Sequence, residues 1–257
     1  MQTAKKKNFL EWNNDVFVSS IKKIDLNIIL IITLDAIFYF SAGYLAIEWL
    51  KRIQAKLFAF NMPQNIMSLG YDRAQQLVKE VQGLYYLIII SFILLLIAII
   101  FLASILKGII WAKTTNAKIT FKLISKFFLL NLIWMGFWFA IILLISLAVE
   151  LSSAVIFMAI ALAIAFFLSN TVYTIFMKEQ KLRAIIDVIK INAGRIHLFL
   201  LPYAVILLIL YLIIRISVLI KFKFSDILLG IIIIIYIAVV RNYLSALVLD
   251  LTKPKTL

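Results

Sequence analysis

The chain has no cysteine, one histidine, and only 7 glycines and 3 prolines among its 257 residues. Disulfide scaffolds are therefore excluded, and so are zinc or haem sites that need several thiolate or imidazole ligands. The sequence also has neither a Walker-type phosphate loop nor a Gly-x-Ser-x-Gly nucleophile motif. We therefore expect a protein that is not an enzyme and that has no cofactor and no metal site.

Charge is scarce as well, because charged residues make up 15% of the chain and apolar residues 65%. Soluble domains have roughly 25% charged and 45–50% apolar residues, so a soluble domain is excluded. The long apolar runs instead predict an all-α, polytopic membrane protein. The net charge of +14 is typical of cytoplasmic loops beside anionic lipid, so nucleic acid is not expected as a partner.

Six runs are long enough to cross a hydrocarbon core of about 30 Å at about 1.5 Å per residue. Three of them contain no charged residue, and the other three contain Asp35, Arg215 or Arg241. We predict a single membrane domain over residues 1–257, with an outer loop at about 48–83. The predicted spans are about 26–47, 84–106, 127–149, 154–177, 196–220 and 226–249.

The lysines and arginines divide unevenly between the two sides of this arrangement. The side that holds both chain ends has 18 of them and the other side has 7. This bias predicts a cell-membrane protein with cytoplasmic N- and C-termini, whose first span is a retained signal anchor. The lack of Asn-x-Ser/Thr sequons and the Ile- and Lys-rich composition favour a prokaryotic membrane. Trp111, Trp134 and Trp138 are predicted in interface belts or facing lipid.

A short amphipathic stretch precedes each odd-numbered span, beginning near Phe17, Ile119 and Leu182. Apolar residues at helical spacing with basic residues between them are typical of helices that lie at the headgroup level. The pattern predicts interfacial elbow helices and a threefold repeat of elbow plus hairpin, although basic amphipathic ends can precede any span. The predicted contacts to anionic lipid headgroups are Lys22, Lys23, Lys118, Lys122, Lys126, Arg183, Lys190 and Arg195.

The third elbow leads into its span through Leu182 to Pro202, with Asn192, Gly194 and Arg195 near its end. This layout resembles a loose group of prokaryotic six-helix integral membrane proteins. They are akin to the membrane domain attached to some glycerophosphodiester phosphodiesterases. The resemblance implies a membrane domain without known catalytic residues, so no functional position is transferred from it.

Two ionised residues of opposite sign, Asp35 and Arg241, lie at equal predicted depth in the first and last spans. An unpaired charge at the centre of a span costs about 2.5–3.5 kcal/mol, so intramembrane charges are functional candidates. We predict a polar cluster of Asp35, Arg241, Asn131 and Asn170, with the two charges paired at its centre. The alternative is that the last span ends at Val240 and that Arg241 snorkels to the headgroups.

The predicted function is that of a lipid-interacting scaffold or a partner-binding membrane subunit. Its partners would be membrane lipids, with their anionic headgroups at the cytoplasmic face. The alternative is a small permease or the membrane subunit of an ABC-type exporter. That alternative requires a separate ATPase that docks on the cytoplasmic loops.

Overall fold

The structure, a computed structural model, describes residues 8–22, 25–60, 70–219 and 225–252. Throughout these ranges the regular structure consists of eight α-helices without a strand. Six helices are long and apolar enough to cross a membrane, which confirms the all-α, six-span prediction. The helices are α1 (Phe9–Lys22), α2 (Asn27–Ala59), α3 (Tyr71–Thr114), α4 (Phe121–Ala148), α5 (Leu151–Glu179), α6 (Ala184–Gly194), α7 (Ile196–Leu219) and α8 (Ser225–Leu251).

Helices α2 and α3 are longer than a membrane crossing requires. They have 33 and 44 residues, which corresponds to about 50 and about 66 Å. Much of the predicted outer loop is therefore helix, because α2 continues to Ala59 and α3 begins at Tyr71. The middle of that loop, residues 61–69, lies outside the described residues.

Short turns join α3 to α4 and α4 to α5. After α3, Asn116 adopts φ 55°, and the Ala117 N–H donates to the carbonyl oxygen of Ala112 at 2.8 Å. Such a left-handed residue satisfies the last carbonyls of a helix. Thr120 then caps α4 by accepting the Leu123 N–H at 3.1 Å. Only residues 149 and 150 separate α4 from α5, so these two helices form a tight hairpin.

The elbow prediction holds for two of the three stretches. Helices α1 and α6 are separate short helices before α2 and α7. The stretch near Ile119 is not an elbow, because α4 begins at Phe121 and continues unbroken to Ala148. Its apolar residues Leu123 and Phe127 are fully buried in the core. No helix-breaking residue separates this stretch from the span, so the predicted threefold repeat is incomplete.

The chain forms two compact units, of which unit 1 comprises residues 1–36 and 104–257. Within unit 1, α1, α5 and α7 each pack against α8, and α4 packs against α5. Trp111 and Trp134 are both 4% exposed and belong to this core. The prediction that they lie in interface belts or face lipid is therefore wrong. Large apolar residues in the core include Leu123, Phe127, Val172, Phe176, Leu244 and Leu247.

Unit 2 comprises residues 37–103, which include the part of α2 up to Ala59 and the part of α3 from Tyr71. A hydrogen bond between its helices joins Trp49 to Ser91, since the indole Nε1 donates to the hydroxyl at 3.0 Å. The Trp49 ring also lies 5.4 Å from the Phe92 ring. Most of its large apolar side chains are exposed, as expected for helices that face lipid.

Candidate functional site: a buried charged triad and a basic groove

Asp35, Lys107 and Arg241 form a buried charged triad in unit 1. The Asp35 side chain has no exposed surface, and each of its oxygens accepts from a different cation. Lys107 Nζ donates to Oδ1 at 2.5 Å, and Arg241 Nη2 donates to Oδ2 at 2.7 Å. The side chains of Lys107 and Arg241 are 16% and 5% exposed, so all three charges are removed from the surface.

Aromatic residues enclose the Arg241 side of the triad. The Arg241 guanidinium carbon lies 5.6 Å from the centre of the Trp111 ring, which is a cation–π contact. The Trp111 ring is in turn 5.5 Å from Tyr173, and Tyr173 is 5.1 Å from Phe127. In the part of the chain that the structure describes, the buried Nη1 of Arg241 has no hydrogen-bond partner. The triad therefore keeps one unused donor in a nearly dry environment.

Three helices bring the triad together near the end of unit 1 at which α2 begins and α3 and α8 end. We call this end the basic end. Asp35 lies about 12 Å from the start of α2, Lys107 about 10 Å from the end of α3, and Arg241 about 15 Å from the end of α8. These similar depths allow one carboxylate to reach both cations.

The chemistry of the triad is that of a neutralised carboxylate with one positive charge in excess. Both Asp35 oxygens accept from cations, so the carboxylate is poorly placed to bind a metal ion. Over the described ranges, no group of three or more His, Cys, Asp or Glu side chains could hold a metal ion. Two cations on one anion leave a formal charge of +1, which favours an anion nearby.

The four residues of the predicted polar cluster do not all meet. The structure places Asp35 and Arg241 together, and α8 continues to Leu251, so Arg241 does not snorkel. Asn131 donates instead to Ser104 Oγ at 3.0 Å, between α4 and α3. Asn170 donates to the Phe166 carbonyl of its own helix at 2.9 Å. Both asparagines are buried, but neither is bonded to Asp35.

Lys107 is the residue that sequence reasoning missed. The predicted span ends at Leu106, which would leave Lys107 in a cytoplasmic loop with the other lysines. In the structure α3 continues to Thr114, so Lys107 lies two turns inside the helix. Residues 108–112, which follow Lys107, are apolar and could have predicted that Lys107 lies within the helix, because such a run extends a helix past a single charge.

A second candidate site is an open groove of about 690 Å³ at the basic end of unit 1, between the ends of α5 and α8 and helix α6. Five of the side chains along it are basic and two are acidic. We call it the basic groove. Its charged residues are Lys178, Glu179, Lys181, Arg183, Asp187, Lys190 and Arg195.

The predicted lipid contacts fall into two groups. Three of them make contacts within the protein: Arg183 Nε lies 3.7 Å from Asp187, Lys126 donates to the Gln180 carbonyl at 3.1 Å, and Arg195 donates to the Leu251 carbonyl. The last two contacts place cations at the ends of α5 and α8, where they stabilise the helix dipoles. The second group consists of the exposed lysines among the predicted contacts, which are Lys22, Lys118, Lys122 and Lys190. Lys23 lies outside the described residues.

Six apolar helices and a charged triad buried between three of them define a polytopic α-helical membrane protein. Comparison of the chain with models of known protein families, with curated proteins and with solved structures gives no match. The function is therefore argued from the two sites themselves.

Proposed function

We propose that this protein is a non-enzymatic, lipid-interacting membrane protein that binds anionic lipid headgroups in its basic groove. The observation that carries this proposal is the excess of five basic over two acidic side chains along one groove. Each Lys or Arg near a membrane surface contributes about 1 kcal/mol of attraction to anionic lipid. On this proposal the basic end of unit 1 faces the cytoplasm, where anionic lipid is abundant.

Helix α6 supports the proposal because it combines a packed face with an exposed apolar face. Ala184 and Val188 are fully buried, and α6 contacts α5. Ile186 and Ile189 are each 55% exposed. An exposed apolar face next to basic residues is typical of a helix that lies at the membrane interface. Such a placement of α6 would hold the groove at the depth of the lipid phosphates.

Three lysines of the groove are free to bind a ligand. Lys178, Lys181 and Lys190 are exposed and make no ion pair with another described residue. Their ammonium groups can approach a phosphate without first breaking a contact within the protein. Arg183 and Arg195, by contrast, already contact Asp187 and the end of α8.

The test is to replace Lys178, Lys181 and Lys190 together by Gln. Purified protein in detergent would be titrated with phosphatidylglycerol or phosphatidylcholine, and bound lipid would be counted by native mass spectrometry. We expect phosphatidylglycerol affinity to fall on the order of a hundredfold, since three contributions of about 1 kcal/mol are lost. Phosphatidylcholine binding should change little.

The matched control replaces Lys51, Lys56 and Lys79 of unit 2 by Gln. All three are exposed and none lines the groove, so the control removes the same charge from other residues. An equal loss of phosphatidylglycerol affinity in both variants would contradict the proposal, because it would show attraction by net charge alone. Salt should weaken binding to the unmodified protein and change it little in the groove variant.

A small permease is the second candidate function, and the charged triad favours it. Charges buried in membrane helices often mark the path of a transported solute. A permease must open its central site to each side of the membrane in turn, whereas a lipid-binding scaffold has no such need. Labelling of a cysteine near the triad from both faces of sealed vesicles would favour the permease, and labelling from one face would favour the scaffold.

A further inference from the structure

A polar cavity of about 270 Å³ lies at the basic end of unit 1, where α2 begins and α3 and α8 end. It shares no residue with the basic groove. Apart from Ile28, Ile31, Ala246 and Leu249, its lining is polar. The polar residues used below are Asp25, Asn27, Lys113, Thr114, Asn242 and Ser245.

The lining offers hydrogen-bond donors whose partners are missing. Ser245 is 2% exposed, and its buried Oγ has no partner within the described part of the chain. A buried hydroxyl without a partner lowers the stability of a protein by about 1–3 kcal/mol, so this position favours the binding of a ligand or water. Lys113 likewise makes no ion pair with any described residue, and its ammonium group has three hydrogens to donate.

Asp25 and Thr114, by contrast, already make hydrogen bonds within the protein. One Asp25 oxygen accepts the Asn27 backbone N–H at 2.9 Å, and the other accepts the Asn27 side-chain amide at 2.6 Å. Thr114 uses its hydroxyl to donate to the Ile110 carbonyl at 2.9 Å. The Lys113 ammonium and the Ser245 hydroxyl are therefore the donors through which the cavity can bind the oxygens of an anion.

The helical register places this cavity next to the charged triad. Ser245 follows Arg241 by four residues on α8, and Ile31 precedes Asp35 by four residues on α2. Thr114 follows Lys107 by seven residues on α3. Residues at these spacings share one face of a helix, so three helices turn the same faces towards the cavity and the triad. The formal charge of +1 on the triad adds to that of Lys113, so the two together exceed the single negative charge of Asp25 in the lining.

We propose that this cavity binds an anionic oxygen group, either a carboxylate or a phosphate, between Lys113 and Ser245. The group enters from the basic end of unit 1. It reaches the cavity as part of a small soluble anion or as the headgroup of an anionic lipid. Its charge balances the positive charge that the triad holds about one helical turn deeper.

The natural absence of cysteine makes a direct test possible. Ser245→Cys places one thiol in the cavity wall, and Ser152→Cys places a control thiol at the exposed start of α5. Both variants, purified in detergent, would be labelled with two methanethiosulfonate reagents, one carrying a sulfonate and one carrying a trimethylammonium group. Relative to the control thiol, we expect the anionic reagent to modify Ser245→Cys about fivefold faster than the cationic reagent.

Protection against labelling distinguishes the two sources of the anion. Slower modification of Ser245→Cys in inorganic phosphate would support a soluble anion, and protection by phosphatidylglycerol alone would support a lipid headgroup. Lys113→Gln in the Ser245→Cys background should abolish both the reagent preference and the protection. Lys118→Gln, which removes an exposed lysine that does not line the cavity, should abolish neither.

Two results would overturn the proposal. One is equal modification by both reagents with no protection by phosphate or phosphatidylglycerol. The other is the absence of labelling at Ser245→Cys while Ser152→Cys reacts, because the cavity would then be closed to a polar ligand. Neither result bears on lipid binding in the basic groove, since the two sites have no residue in common.

Discussion

Unit 1 and unit 2 are both built from apolar helices but differ in the contacts that join those helices. Unit 1 contains the charged triad, the buried Asn131–Ser104 bond and a large aromatic core. In unit 2 the Trp49 indole donates to the Ser91 hydroxyl between α2 and α3, and most of the large apolar side chains are exposed. Lipid is as apolar as leucine, so apolar residues alone do not select which helix faces meet. Polar groups that must find partners do select them, and they are concentrated in unit 1.

Asp35→Ala in unit 1 should cause the largest loss of stability. The substitution leaves Lys107 and Arg241 buried without their common anion, and breaking such a pair costs about 3–5 kcal/mol. Arg241→Met should lower the free energy of unfolding less, because the ion pair between Asp35 and Lys107 remains. Thermal unfolding in detergent, monitored by circular dichroism, would show which of the two variants has the lower unfolding temperature.

Glu48→Ala is the matched control for Asp35→Ala, because Glu48 is a carboxylate on the same helix but in unit 2, and 38% of its side chain is exposed. It should change the free energy of unfolding by less than about 0.5 kcal/mol. If both variants unfolded at the same temperature, the triad would not be what stabilises unit 1.

Exchange of the charges at positions 35 and 241 tests whether pairing of Asp35 with Arg241 stabilises unit 1. Asp35→Arg and Arg241→Asp should each lower the unfolding temperature strongly, and the double variant should recover only part of the loss. Recovery is partial because the guanidinium at position 35 would lie beside Lys107. Addition of Lys107→Glu should increase the recovery. No recovery in either combination, measured as folded protein by size-exclusion chromatography, would argue against pairing.

A steric change should have an intermediate effect. A Cβ atom at Gly108 would lie 2.9 Å from Ile124 Cδ1 and 3.2 Å from Phe127 Cδ1, so α3 and α4 approach closely there. Gly108→Leu should destabilise the protein by about 1–3 kcal/mol through overpacking. Gly83→Leu in unit 2 is the control, since nothing lies within 4 Å of its added Cβ. That variant should unfold no earlier than the parent, because leucine is the better helix former.

The smallest effect should come from Ser91→Ala in unit 2. The substitution removes the hydroxyl that accepts from Trp49, and one such bond contributes about 0.5–1.5 kcal/mol. Trp49 fluorescence and the unfolding temperature would report the change. Ser146→Ala is the control, because that exposed hydroxyl bonds only to the Leu143 carbonyl of its own helix. A large loss for Ser91→Ala would mean that unit 2 depends on polar contacts as unit 1 does.

The sequence alone determined the class of the protein and the number of its spans. Hydropathy over about 20 residues is a local property, and membrane solvation makes helices of such runs whatever their neighbours are. Local spacing also predicted α1 and α6. The same reasoning predicted an elbow near Ile119 that the structure replaces with an unbroken α4. The pattern there is amphipathic, but its apolar face packs into the core.

Only the tertiary structure decided which polar residues meet. Equal depth and opposite sign point to Asp35 and Arg241, but depth does not predict that Asn131 bonds to Ser104 and Asn170 to the Phe166 carbonyl. Span boundaries drawn from hydropathy stop at a charge, so they place Lys107 in a loop. In the structure that charge lies inside the helix, neutralised by an aspartate 72 residues away. The ion pair with Asp35 stabilises Lys107 inside the helix, and a hydropathy pattern does not identify a partner so distant in sequence.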